Sequence, residues 1–126
     1  MDWKPFVSPE LRRQCVAIPG DATGGLPREA ALEACEGFVR RNVGLLGGDV
    51  WAWDGSRFRP LGGAGWYVDR RPEEVWTAFR DRSIAAARVA VGRELSLQPG
   101  EQPLYVYVCT VEPEPPEHLN RGGNPS

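Results

Sequence analysis

Residues 45–58 read LLGGDVWAWDGSRF, and an Asp-Gly pair, Asp54 and Gly55, divides two segments in which side-chain character alternates. Asp-Gly suits a type I′ turn, which needs positive φ at both central residues and matches the twist of a two-residue hairpin. Trp53 then faces Ser56, and Trp51 faces Phe58. Side chains alternate along a strand, so Trp51, Trp53 and Phe58 share one face. Val50, Ala52, Arg57 and Arg59 share the other. Gly47, Gly48 and Asp49 stand ahead of the aromatic pair, where a plain hairpin needs no glycines. They suit a loop built to hold a backbone shape, or one that presents the Asp49 carboxylate.

Outward from this hairpin the pattern stays local and clear. LGGAG (61–65) is a loop, and WYVDR (66–70) reads as a third strand with Trp66 and Val68 on one side, Tyr67 and Asp69 on the other. PREAALEACEGFVRRN (27–42) reads as a helix over 27–41, opened by Pro27 and Glu29 and closed by Arg40, Arg41 and Asn42. Leu32, Cys35, Phe38 and Val39 recur at helical spacing. Gly37 inside it costs about 1 kcal/mol relative to alanine, which close packing against a neighbour would explain. RRPEEVWTAFRDRSIAAARVAVG (70–92) is a second helix with Pro72 at its first position, Glu73 and Glu74 at its positive end and Gly92 as its stop. Trp76, Phe79, Ser83, Ala86 and Ala90 form one stripe. PLYVYVCTV (103–111) reads as a strand within a sheet.

Residues 1–26 are weakly patterned; ELRRQCVAIP (10–19) suits a short helix or a strand. Residues 112–126, EPEPPEHLNRGGNPS, hold too little apolar material to fold and read as a disordered, Pro-rich tail. The expectation is one α+β domain over 1–111. Its order is helix, three-strand meander, helix, strand, with two helices packed on one face of a mainly antiparallel sheet.

Composition narrows the function. Seventeen acids against 15 bases, for a net charge of −2 in 126 residues, do not describe a nucleic-acid surface. No apolar run is long enough for a membrane span, and MDWKPFVSPE lacks the pattern of a secretory leader. Cys15, Cys35 and Cys109 are scattered and odd in number, which reads as reduced thiols of a cytoplasmic protein. The one histidine, His118, lies in the tail. That removes the usual general base and most zinc ligand sets, so no catalytic residue, metal, cofactor or small-molecule substrate is expected. GGLPRE (24–29) opens a helix but follows no strand and lacks the lysine and hydroxyl of a phosphate loop. The remaining enzymatic route pairs Asp49 with Asp69, but acids beside turns are commonly turn residues. Among the aromatics, Trp51, Trp66, Trp76 and Phe79 are expected in the core between sheet and helix. Ser83 is expected to allow close approach, its hydroxyl bonded to its own helix. Arg82 is expected to form an ion pair with Asp49 or Asp69, tying the glycine bend to the second helix.

The motifs LLGGDVWAWDGSRF and GWYVDRRPEEVWTAFRDRSIAAA, preceded by a helix opening PREAALEA, resemble the immunity protein 40 family of bacterial polymorphic toxin systems. The resembling positions are Arg28 and Glu29; Gly47, Gly48, Asp49, Val50 and Trp51; Trp66 and Tyr67; and Phe79 four residues before Ser83 in an Arg82-Ser83 pair. The resemblance covers about residues 27–90. Gly65 stands where a bulkier polar residue is expected, and the tail has no counterpart. The resemblance implies a cytoplasmic α+β protein that binds and neutralises a cognate toxin without catalysis. Partner contact is then expected from Asp49, Trp53, Asp54, Tyr67 and Asp69. The structural motif would be Gly47, Gly48, Trp51, Trp66, Phe79, Arg82 and Ser83, with Gly47 and Gly48 setting a bulge or tight bend in the strand that aims Asp49 at a fixed partner, either internal, such as Arg82, or on the toxin. The alternative is an adaptor module docking through a sheet edge or the Pro-rich tail.

Overall fold

The structure, a computed structural model, describes residues 1–114; the expectation for the tail, with His118, lies beyond residue 114 outside the described residues. The elements are α1 (Pro9–Arg13), β1 (Leu26–Pro27), α2 (Arg28–Arg40), β2 (Val43–Trp53), β3 (Phe58–Pro60), β4 (Trp66–Tyr67), α3 (Trp76–Gly92) and β5 (Gln102–Val111). The strands form one sheet in the order β1-β5-β2-β3, with β4 also on β2, and every pairing is antiparallel. The fold is α+β.

The connectivity differs from a meander in one respect. β4 pairs with β2 at Gly47 and Gly48 rather than with β3. β3 takes only Trp51, Ala52 and Trp53 of the same edge. A 3-10 turn at Gly62–Ala64 carries the chain back to the middle of β2.

Both long helices cover one sheet face, and Phe38, Val43, Leu45, Val50, Ile84, Tyr105 and Tyr107 meet between them. Helix α2 turns Ala30, Ala31, Ala34, Cys35 and Phe38 inward, whereas Leu32 and Val39 are exposed. Three alanines and one glycine let neighbours approach closely: at Gly37 the carbonyl oxygen of Phe6 lies 2.6 Å from where a β-carbon would stand. The first residues are well packed. Trp3, Val7 and Leu11, spaced by four, are buried against α2, and the Trp3 indole N–H donates to the Gly24 carbonyl at 3.2 Å. Val16 and Ile18 cross to the opposite face, where they meet Leu104, Val106, Trp51, Trp53 and Phe58. Trp51 therefore does not lie between sheet and helices; it is half-buried on the other face. Trp66, Trp76 and Phe79 do lie on the helix side.

Helix α3 begins at Trp76, later than Pro72 suggests. Pro72 and Glu73 make a turn in which Glu73 has φ +62. The helix runs along the outer edge of β2, and the groups of that edge find partners in sequence. The Trp76 indole donates to the Asn42 carbonyl at 3.1 Å, and the Leu45 N–H donates to Ser83 Oγ at 2.9 Å. Val68 N–H reaches the Leu46 carbonyl at 2.8 Å and Leu61 N–H the Val50 carbonyl at 2.9 Å, flanking the β4 pairing. The Ser83 hydroxyl also donates to the Arg80 carbonyl at 2.9 Å, within its own helix. A side chain here does the work of a neighbouring strand, since a buried backbone N–H left unpaired is costly.

Candidate functional site

The glycine pair is explained by its neighbours. Leu45 pairs with Cys109 but Gly47 with Val108, so the register shifts and Leu46 is the extra residue of a bulge. Gly47 has φ +150. A β-carbon on Gly47 would collide with the Trp66 carbonyl oxygen, and one on Gly48 with the Trp66 indole ring. β4 presses onto β2 only because both residues lack side chains. The Trp66 ring then packs edge-on against Tyr107, with centroids 6.0 Å apart. Its indole N–H is buried with no hydrogen-bond partner among the described residues.

Beyond the bulge, alternation places Gly47, Asp49, Trp51 and Trp53 on the face away from the helices. Val108 and Tyr67 lie directly across from Gly47 on its two sides. With no side chain between them, a notch of about 190 Å³ opens, floored by Gly47 and Gly48 and edged by Asp49. Tyr67 is 74% exposed and Val108 38%. Asp49 is exposed, and none of the ion pairs among the described residues includes Asp49 or Asp69. The Asp69 carboxylate beside the Tyr67 hydroxyl raises the phenol's pKa. Val108 escapes a reading of the sequence because its strand is almost wholly apolar. Its exposure depends on the glycine across from it.

The other two expected contact residues sit further along β2. Trp53 is half-buried and stacked on Phe58, centroids 6.1 Å apart. The hairpin differs from the expected two-residue turn: Trp53 pairs with Phe58 rather than Ser56, and Trp51 with Pro60, so residues 54–57 form the loop, and of Asp54 and Gly55 only Gly55 has positive φ. Asp54 explains the longer loop: its Oδ1 accepts from Arg57 N at 2.8 Å, Ser56 N at 2.9 Å and Ser56 Oγ at 3.1 Å, holding these residues out of the ladder, and the backbone donors lower its pKa.

Arg82 does not pair with the carboxylate of Asp49 or Asp69. It lies on the helix side of the sheet, whereas Asp49 faces the other way. Its guanidinium grips Glu74 in a two-pronged contact, Nε to Oε2 at 2.8 Å and Nη2 to Oε1 at 2.7 Å. Nη2 also donates to the Asp69 backbone carbonyl at 2.6 Å. The eight-residue spacing from Glu74 to Arg82 is not a helical one; it arises from the Pro72–Glu73 turn. The Arg82 hydrogen bonds, helped by the Arg71 N–H, pull the Glu74 pKa from 4.5 down to about 2. A carboxyl whose pKa is lower when folded stabilises the protein above its unfolded pKa, and loses that effect as pH falls through the folded one. The difference in thermal midpoint between the wild type and Glu74→Gln is therefore expected to be full above pH 4.5 and to shrink toward pH 2. Thermal melts followed by circular dichroism across that range check it; a constant difference would contradict the clasp.

Arg28 has a comparable structural role: it donates to the Tyr105 hydroxyl at 3.2 Å and to the Arg93 carbonyl at 3.1 Å, joining α2 to β5 and the end of α3. The three cysteines are free, and burial raises all three thiols, Cys109 to about 12. None has the lowered pKa of a nucleophilic thiolate. Among the described residues no three His, Cys, Asp or Glu side chains form a group able to hold a metal ion. The arrangement offers a shaped, partly apolar surface with acidic margins.

Residues 20–109 match the family model described as Immunity protein 40. No curated protein matches the chain.

Proposed function

The chain belongs to the Immunity protein 40 family, and from that premise we propose that it neutralises a cognate bacterial toxin by binding it, with no catalysis of its own. The observation that carries this reading is the family match, which runs from before β1 into β5. The geometry supports it. A sheet face free of helices exposes Tyr67 beside a notch, and tyrosine is a frequent anchor of protein interfaces. Asp49, Tyr67 and Asp69 are the proposed centre of contact, with Trp53 and Asp54 at its margin. The proposed compartment is the cytoplasm, which suits three unpaired thiols. No helix among the described residues is long and apolar enough to cross a membrane.

The test is to look for a toxin reading frame directly upstream in the native operon and to co-express its toxic domain with this chain. The expected result is rescue of growth and co-elution of the two proteins on size exclusion. No rescue and no complex would overturn it. Deleting residues 112–126, which lie beyond the family match, is expected to leave the complex unchanged; loss of binding would favour an adaptor working through its tail.

A further inference from the structure

We propose that the notch between Tyr67 and Val108 receives one arginine side chain of the toxin, its stem against the apolar walls and its guanidinium at Asp49. The assignment rests on the toxin-binding reading above and gives that site its recognition chemistry.

Size is the first argument. A volume of about 190 Å³ accommodates a single long side chain, whereas pockets for drug-sized ligands run to roughly 300–1,000 Å³. Shape is the second. Tyr67, Gly47 and Val108 lie in one row across three strands, so a slot open to solvent runs between two exposed apolar side chains. An inserted side chain would bury both walls against its methylenes.

Charge is the third argument. Asp49 edges the slot, and Asp69 stands beside the Tyr67 hydroxyl. The nearby cations are engaged elsewhere: Arg82 holds Glu74, and Arg70 donates to the Glu74 carbonyl while lying over the Trp76 ring. The carboxylate at the notch is thus left for a charge from outside. Arginine fits better than lysine, because a planar guanidinium stacks on an aromatic ring and meets a carboxylate through two parallel hydrogen bonds.

Two measurements test this. The first is calorimetric titration of the neighbouring toxic domain into the wild type, Asp49→Asn, Tyr67→Ala and Glu36→Gln. Glu36 is an exposed acid on α2, away from the notch. Asp49→Asn and Tyr67→Ala are each expected to weaken binding roughly tenfold or more, as loss of an interface anchor does, with Glu36→Gln unchanged. A complex that forms equally well with Asp49→Asn and Tyr67→Ala overturns the notch while leaving the immunity reading intact. Equal weakening by Glu36→Gln overturns it too, since only overall charge would then matter.

The second needs no toxin. N-acetylarginine methylamide, titrated into the wild type and followed by amide NMR shifts, is expected to give saturable changes at Gly47, Gly48 and Tyr67 that Asp49→Asn abolishes. Absent changes, or equal changes in Asp49→Asn, overturn the notch; tighter binding of the lysine analogue overturns the choice of arginine. If the wild type binds no toxin, the immunity reading falls and this titration alone decides whether the notch is a cation site.

Discussion

Gly47→Ala is expected to destabilise the fold severely. The residue sits at φ +150, where a side chain is strained, and its β-carbon would meet the Trp66 carbonyl oxygen. Backbone strain of this kind costs about 1–3 kcal/mol, and forcing an extra carbon into a packed site costs about 1–3 kcal/mol more. The obstacle is backbone, so no rotamer change relieves it. Gly55→Ala makes the comparison, because Gly55 also has positive φ, +102, but lies in open space. It is expected to lose only the strain contribution. Urea unfolding of both variants checks the difference; equal losses would mean that close packing of β4 on β2 contributes nothing.

Trp3→Ala is expected to cost about 3–5 kcal/mol, the usual range for removing a large buried aromatic. Trp3 is fully buried and its indole satisfies the Gly24 carbonyl. It also lies outside residues 20–109, the span matched by the family. The loss would show that the matched region relies on the segment before it. Trp3→Phe keeps most of the packing but loses the hydrogen bond, and is expected to fall between the wild type and Trp3→Ala. Denaturant midpoints measure both. A Trp3→Ala protein as stable as the wild type would mean that residues 1–19 merely rest on the core.

What the sequence disclosed was mostly local. The presence of a hairpin around Asp54-Gly55, the span of α2 and the apolar stripe of α3 depend on residues within a few positions of one another; the hairpin's register did not follow, because the Asp54 carboxylate caps Ser56 and Arg57 and lengthens the loop to 54–57. Alternation also showed that Trp51, Trp53 and Phe58 share a face. It did not show which face the helices would cover, because that follows from the packing of the whole chain. The pairing of β4 with β2, the Glu74–Arg82 clasp and the docking of Trp3 are contacts between distant positions, and no short pattern encodes them. Trp3, Val7 and Leu11 did carry a signal in their spacing of four, broken by prolines at 5 and 9. At the notch, Asp49, Tyr67 and Asp69 were legible as exposed residues, whereas Val108 was hidden in an apolar run.

The outer edge of β2 has a consequence for how such a protein changes over time. From Asn42 to Trp53 that edge is occupied by Trp76, Ser83, β4 and β3, so a foreign strand finds no open rail to extend. Backbone recognition, which reads almost any sequence, is closed there. Under the proposed toxin-binding role, discrimination on this side of the molecule falls to side chains such as Tyr67 and Asp49, which stand clear of the interior. Exchanging them alters what the surface accepts without disturbing what holds the sheet together. If the proposed role holds, a lineage built this way follows a drifting toxin by substitution alone, keeping its scaffold while its preferences are rewritten.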